Sequence, residues 1–216
     1  EYVHLMMRNF IAEVVEKVLE KHKSIEDLVF ILPSKRAGTF LRNAIAKSIN
    51  RTIFAPRIYS IETFVEKISG LKYASNTLLL FKLYGIYLKS VQGEKENFHD
   101  FSKWGQTLLQ DFNEIDRHLI DPGSIFGNLA AVQELNHWSL QAKKTKMMQN
   151  YLHFWNNIER IYQDFNRSLI HKGLAYQGLV YRHACNSLEV YQRENPSGHI
   201  FIGFNALNEA ESYIIQ

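Results

Sequence analysis

The placement of proline constrains this chain more than any other feature of its sequence. The four prolines stand at Pro33, Pro56, Pro122 and Pro196, so residues 57–121 and 123–195 contain none. A proline inside a helix removes a backbone hydrogen bond and collides with the preceding turn, at a cost of roughly 3 kcal/mol, so long helices need such windows. Apolar spacing within them predicts helices over about 76–92, 98–120, 123–138 and 142–171. Trp104, Trp138 and Trp155 all fall there, among many Phe and Tyr at helical spacing. That is the pattern of a helical bundle with an aromatic core, and the default role of those rings is packing rather than base stacking.

The two ends read differently. Tyr2–Met7 is a short apolar run, followed by an expected helix from Phe10 to Lys23 with Asn9 as its cap and Phe10, Val14, Val18 and Leu19 on one face. Leu28–Leu32 is a continuous apolar run, as a buried parallel strand requires. Ser34 then opens a helix to about Ser48. Short strands are expected at Thr52–Phe54 and Arg57–Tyr59, and Ser60 caps a helix that ends at Gly70. After a helix over about 177–192, a Pro-Ser-Gly turn at 196–198 leads to an expected strand at His199–Gly203 and a helix starting near Asn208. The architecture implied is an α/β domain, residues 1–70 and 176–216, around an inserted helical domain, residues 71–175, mostly helical overall.

Composition excludes several classes. With 46% hydrophobic and 22% charged residues the chain is neither disordered nor collagen-like. No apolar run approaches the ~20 residues of a membrane span, so no membrane partner is expected. A single cysteine, Cys185, makes no internal disulfide, so a reducing, cytoplasmic setting is expected and the sequons at Asn50 and Asn166 carry no weight.

The net charge of +3 is small, but its distribution is uneven. Between Asp27 and Glu62 there is no acidic residue, while Lys35, Arg36, Arg42, Lys47, Arg51 and Arg57 all occur. Ser34, Lys35 and Arg36 stand where a buried strand gives way to a helix. Open parallel sheets bind ligands at the carboxyl ends of their strands, and helix N-termini attract anions. Ser34, Lys35, Arg36 and the cap Ser60 are therefore candidates to face phosphate, against the plainer alternative of solvated surface cations. Around Asp111, Glu114, Asp116 and His118 the 98–120 helix is acidic. Its Glu114–His118 spacing approaches that of di-metal bundles, but no matching second helix exists, so a solvated polar face with Asp116–Arg117 pairing is expected instead. His183 and Cys185 are too isolated for a nucleophile and its base. The turn Met7-Arg8-Asn9, where a phosphate-wrapping loop would stand, has neither glycine nor lysine, so ATP hydrolysis is not expected.

Three segments in order resemble the first RecA-like domain of superfamily I helicases of the UvrD/AddB type. Phe30-Ile-Leu-Pro-Ser-Lys-Arg-Ala-Gly38 resembles motif Ia, which touches single-stranded DNA in that family. Ile58-Tyr-Ser-Ile-Glu-Thr-Phe64 is similar to the next segment along the DNA path. Phe201-Ile-Gly-Phe-Asn-Ala-Leu-Asn-Glu-Ala-Glu211 resembles the Walker B region, with Ile202 at the metal-binding Asp position and Gly203 at the catalytic Glu position. Both nucleotide motifs are thus degenerate, while the DNA-path segments persist. That combination resembles the inactivated helicase half of AddB-like proteins, which carry a C-terminal PD-(D/E)XK nuclease. Trp104-Gly-Gln106, Asp111-Phe-Asn-Glu-Ile-Asp116 and Gly173-Leu-Ala-Tyr-Gln-Gly178 are also similar to an AddB-like subgroup. The resemblance implies a 1A-like domain with a 1B-like insertion and DNA contacts at Ser34, Lys35, Arg36, Arg57 and Ser60. It implies no cofactor in this chain, and an AddA-type helicase–nuclease subunit and DNA as partners in double-strand-break repair. The nuclease residues would lie beyond Gln216, the chain ending within an expected helix. The competing expectation is a protein-interaction scaffold that docks a partner helicase subunit without touching DNA.

Overall fold

A computed structural model of the protein describes residues 10–91, 94–128 and 146–216, the side chains of 146–156 excepted. The chain divides into two compact units. One comprises residues 1–68, 187–207 and 215, and the other residues 69–186, 208–214 and 216. The whole is mostly helical, with a parallel sheet of three strands. The apolar run Tyr2–Met7, the Asn9 cap, the Met7-Arg8-Asn9 turn, residues 129–138 of the expected 123–138 helix with Trp138, and the side chain of Trp155 lie outside the described residues.

In the first unit, helix α1 (Phe10–Lys21) precedes β1 (Val29–Leu32), α2 (Lys35–Ser48), β2 (Arg57–Ser60) and α3 (Ile61–Ser69). The last part of helix α8 (Gln177–Glu194), from residue 187 on, then leads into β5 (His199–Phe201). The sheet order is β2-β1-β5, all parallel, with Leu32 opposite Ser60 and Ile31 opposite Phe201. Every residue of β1 is buried, which is why the strand reads as an uninterrupted apolar run rather than an alternating one. Phe30 and Leu32 pack with Val15, Leu41, Ile45 and Ile202 in one cluster. Gly38 lets α2 lie close on β2, since a Cβ there would stand 3.2 Å from the Ile58 side chain.

Three expectations for this unit change. Thr52–Phe54 forms no strand and pairs with none of the three. Ile53 packs on the core while Phe54 is 83% exposed. The buried face of α1 centres on Val15, flanked by Ile11, Val14, Val18 and Leu19, and Phe10 is exposed instead. The strand at His199 ends at Phe201, and Gly203, with φ +78°, turns the chain away.

In the second unit, β3 (Lys72–Tyr73) leads into α4 (Asn76–Ser90) and α5 (Phe98–Arg117). A helical segment over 122–128 (α6) follows, then α7 (Lys146–Ile170) and β4 (Leu174–Ala175). Most of α9 (Glu209–Ile215) belongs here too. Strands β3 and β4 form a parallel pair that no apolar run announced, being two residues each. Gly70, with φ +69°, ends α3 as a C′ glycine should. The aromatic core is as the helical spacing implied: Phe101, Phe112 and Phe165 are fully buried, and Phe112 meets Tyr162 edge-on at 5.1 Å. No helix among the described residues is long and apolar enough to cross a membrane.

Candidate nucleic-acid interface

Parallel strands place their carboxyl ends on one edge, and here that edge collects three segments: Ser34–Arg36 after β1, Ser60 at the end of β2, and Ile202–Gly203 after β5. Ser34 has extended backbone (φ −148°, ψ 157°), and its Oγ accepts the Ala37 N–H at 3.2 Å. It is therefore the N-cap of α2, as its position before the helical periodicity predicts. The first turn of α2 carries no acidic residue, so nothing there offsets the positive end of the helix dipole. Lys35 and Arg36 are exposed beside it. The Arg36 guanidinium lies 5.8 Å from the centroid of the half-exposed Phe40 ring, one helical turn on. Sequence reasoning missed Phe40, although Arg-x-x-x-Phe spacing on a helix brings a cation over a ring. Arg42, Lys47 and Arg51 are exposed along the same acid-free segment.

The five expected contact residues do not all share this edge. Arg57 stands at the amino end of β2, opposite Val29, at the far side of the sheet from Leu32 and Ser60. Three residues of strand at about 3.3 Å each put it roughly 10 Å from that edge. Its guanidinium donates to Ser197 Oγ at 2.7 Å, which ties β2 to the turn before β5. Arg57 is thus separated from Ser34, Lys35 and Arg36. Ser60 reaches the right edge but is buried, and its Oγ accepts the Thr63 N–H at 3.4 Å and lies 3.0 Å from Thr63 Oγ1. It caps α3 rather than presenting a hydroxyl to solvent. Glu62 in the first turn of α3 complements that helix's dipole, so α2 is the helix start left open to an anion.

The Ile202 side chain, for which the sequence resemblance implied a degenerate metal-binding position, is buried in the apolar cluster. Its N–H donates to the Ile31 carbonyl at 2.9 Å and so continues the ladder. Gly203 is exposed, in a left-handed turn. Among the described residues there is no group of three or more His, Cys, Asp or Glu side chains that could hold a metal ion. The edge can attract and position an anion.

The acidic helix proves to be something other than a solvated face. Asp116 is 0% exposed and receives hydrogen bonds from Tyr162, Tyr176 and Arg182 Nε. Its partner is Arg182 on α8, not Arg117. The same guanidinium donates to the carbonyls of Ile115 at 2.9 Å and Ile120 at 2.7 Å. Those carbonyls belong to the end of α5, where Leu119 takes φ +53° and the Ile120 and Leu119 N–H groups return to Ile115 and Asp116. That is a Schellman ending, with a cation at the negative pole of the helix. Burial raises the Asp116 pKa, opposed by Tyr162, Tyr176 and Arg182. Tyr176 is driven well above its ordinary value, by burial first and then by Asp116. Sequence spacing could not show this network, because its members are 46 to 66 residues apart. Glu114 and His118 face one another at 3.4 Å as an ordinary exposed i,i+4 pair. Cys185 is buried, its thiol pushed up to about 11 mainly by desolvation, and His183 is half-buried, so no thiolate nucleophile is present there.

No protein-family model and no curated protein matches the chain.

Proposed function

We propose that this chain is the N-terminal, helicase-like and ATPase-inactive region of an AddB-like DNA helicase/exonuclease subunit. In this reading a RecA-like domain with a helical insertion binds or guides DNA in double-strand-break repair, beside an AddA-type subunit. The observation that carries it is the uncovered, acid-free N-terminus of α2 at the carboxyl edge of a parallel sheet, with Lys35 and Arg36 exposed on it. Two cations and free helix N–H groups suit the phosphates of a single strand. Burial of Ile202 in the core supports the inactive reading, since an apolar side chain there leaves no carboxylate for Mg²⁺.

The test is anisotropy with a labelled oligothymidylate between 50 and 200 mM salt. At ~0.7 per phosphate on single strands, loss of two contacts in Lys35→Ala/Arg36→Ala lowers the salt slope by roughly 1.4. An unchanged slope and affinity in the double variant removes the DNA role. Arg57→Ala, altering the opposite edge, should leave the slope intact. Calorimetry with ATP and Mg²⁺ checks the other half: binding followed by hydrolysis would overturn it.

A further inference from the structure

The amino edge of the three-stranded sheet carries a second concentration of positive charge, away from the α2 N-terminus. Arg57 and His199 stand opposite Val29 from either side, so all three side chains leave the same face of the sheet. Tyr59, two residues along β2, shares that face. Helix α3 packs over it, with Phe64 meeting His199 and Tyr191 at 5.6 Å each. One turn further on, Lys67 Nζ lies 5.3 Å from the Tyr59 ring centroid and donates to its hydroxyl at 3.4 Å. Arg57 donates to Ser197 Oγ at 2.7 Å, and the Tyr191 hydroxyl lies 3.0 Å from His199 Nε2. A guanidinium, an ammonium and three hydroxyls thus gather around one half-buried imidazole.

No carboxylate balances this charge: among the described residues no ion pair engages Arg57, Lys67 or His199. The imidazole senses both cations, which add to burial in holding its pKa below the ordinary value. Uncompensated cations beside a partly desolvated ring cost stability, and an anion held by both of them recovers it. We propose that Arg57 and Lys67, framed by the Tyr59 ring and the Ser197 hydroxyl, bind a phosphate dianion, either free or as the monoester of a small molecule. Charge selects this ligand. A phosphate monoester carries about −1.5 to −2 at pH 7, which two cations match, whereas a backbone diester carries a single charge. With one N–H on Ser197, the guanidinium keeps others to offer two phosphate oxygens side by side. The inference rests on the amino edge alone and stands or falls apart from the DNA reading of the α2 N-terminus.

Calorimetry of the full chain with inorganic phosphate and with glycerol phosphate, at constant ionic strength, tests it. Binding of both assigns a monoester, and binding of phosphate alone assigns the free ion. Lys67→Gln and Arg57→Gln should each weaken binding about tenfold, as loss of one charge-assisted hydrogen bond does. Lys67 is exposed, so circular dichroism should show that variant folded whatever becomes of Arg57→Gln. Lys35→Ala/Arg36→Ala should bind phosphate as the wild type does. Proton NMR of His199 gives a second readout: sulfate, a dianion that does not titrate here, should raise its pKa in the wild type and leave it unmoved in Lys67→Gln. The proposal is overturned if neither ligand binds, or if Lys67→Gln binds as tightly as the wild type. It fails equally if Lys35→Ala/Arg36→Ala abolishes the heat, which moves the phosphate to α2, or if an oligothymidylate lacking terminal phosphate displaces the ligand.

Discussion

Replacing Asp116 with alanine should reveal what locks the helical unit together. The carboxylate has no solvent exposure and gathers two phenol protons and one guanidinium N–H. After the change Arg182 keeps its bonds to the Ile115 and Ile120 carbonyls, and the Tyr176 hydroxyl keeps the Asn166 side chain at 2.9 Å. The guanidinium loses its counter-ion and Tyr162 its carboxylate acceptor. Breaking a buried charge pair from one side costs about 3–5 kcal/mol. The Arg182 side chain is 22% exposed, so water recovers part of that, and about 3 kcal/mol is the expected loss. Against a total stability on the order of 5–15 kcal/mol this is a large fraction. With a urea dependence of about 2 kcal/mol per molar, the midpoint should fall by about 1.5 M. Trp104 lies in α5 of this unit, so intrinsic fluorescence reports its unfolding. Glu114→Ala, altering a 46% exposed carboxylate, should move the midpoint far less. The reasoning is refuted if Asp116→Ala unfolds no earlier than Glu114→Ala. It is refuted equally if the losses in Asp116→Ala and Arg182→Ala simply add in the double variant.

Further outcomes follow from single positions. In Gly178→Ala the new methyl would stand 2.2 Å from the Asn113 carbonyl oxygen and 3.0 Å from the Arg117 nitrogen, both backbone atoms, so a loss of about 2 kcal/mol or more is expected in urea titrations. Gly85→Ala, with nothing within 4 Å and a place inside α4, should instead gain up to about 1 kcal/mol. Cys185 should resist a thiol reagent in the native protein at pH 8 and react only on unfolding; rapid native labelling would contradict its burial and raised pKa. His199 is held below the ordinary imidazole value, by burial first and then by Arg57 and Lys67. Between that folded value and 6.5 the unfolded chain binds more protons. The stability of the three-stranded unit should therefore rise with pH through that window, stay level above it, and decline as acidity increases below 6.5. Urea titrations by circular dichroism at pH 5.5 and 7.5 should show that dependence in the wild type and a weaker one in His199→Gln; equal slopes would refute it.

Much of the local structure was written in residue order. Leu28–Leu32 had to be a buried strand because a run without polar alternation suits only a strand covered on both faces. Ser34 and Asn208, each at an expected helix start, accept the N–H three residues on, while the caps Ser75 and Asn97 emerged only in the structure. Proline-free windows with aromatic periodicity sufficed for the helical core. At the candidate interface, the basic, acid-free turn after β1 was legible from charge spacing alone. What failed was pairing. Thr52–Phe54 has the composition of a strand, yet it pairs with no strand of the sheet, and composition does not encode pairing. Arg57 is one of six cations in the acid-free segment, yet the direction of β2 carries it to the opposite edge from Lys35.

The sequence by itself determined most of the described helices, the buried strand β1 and where positive charge accumulates, because those depend on residues within a turn or two of one another. Only the tertiary structure decided that β1 lies between β2 and β5, that Ile202 is a core residue, and that Asp116 is buried against Tyr162, Tyr176 and Arg182. Those facts depend on which distant backbone and side-chain groups are left to satisfy one another once water is excluded, and a buried carboxylate finds its partners in space rather than along the chain.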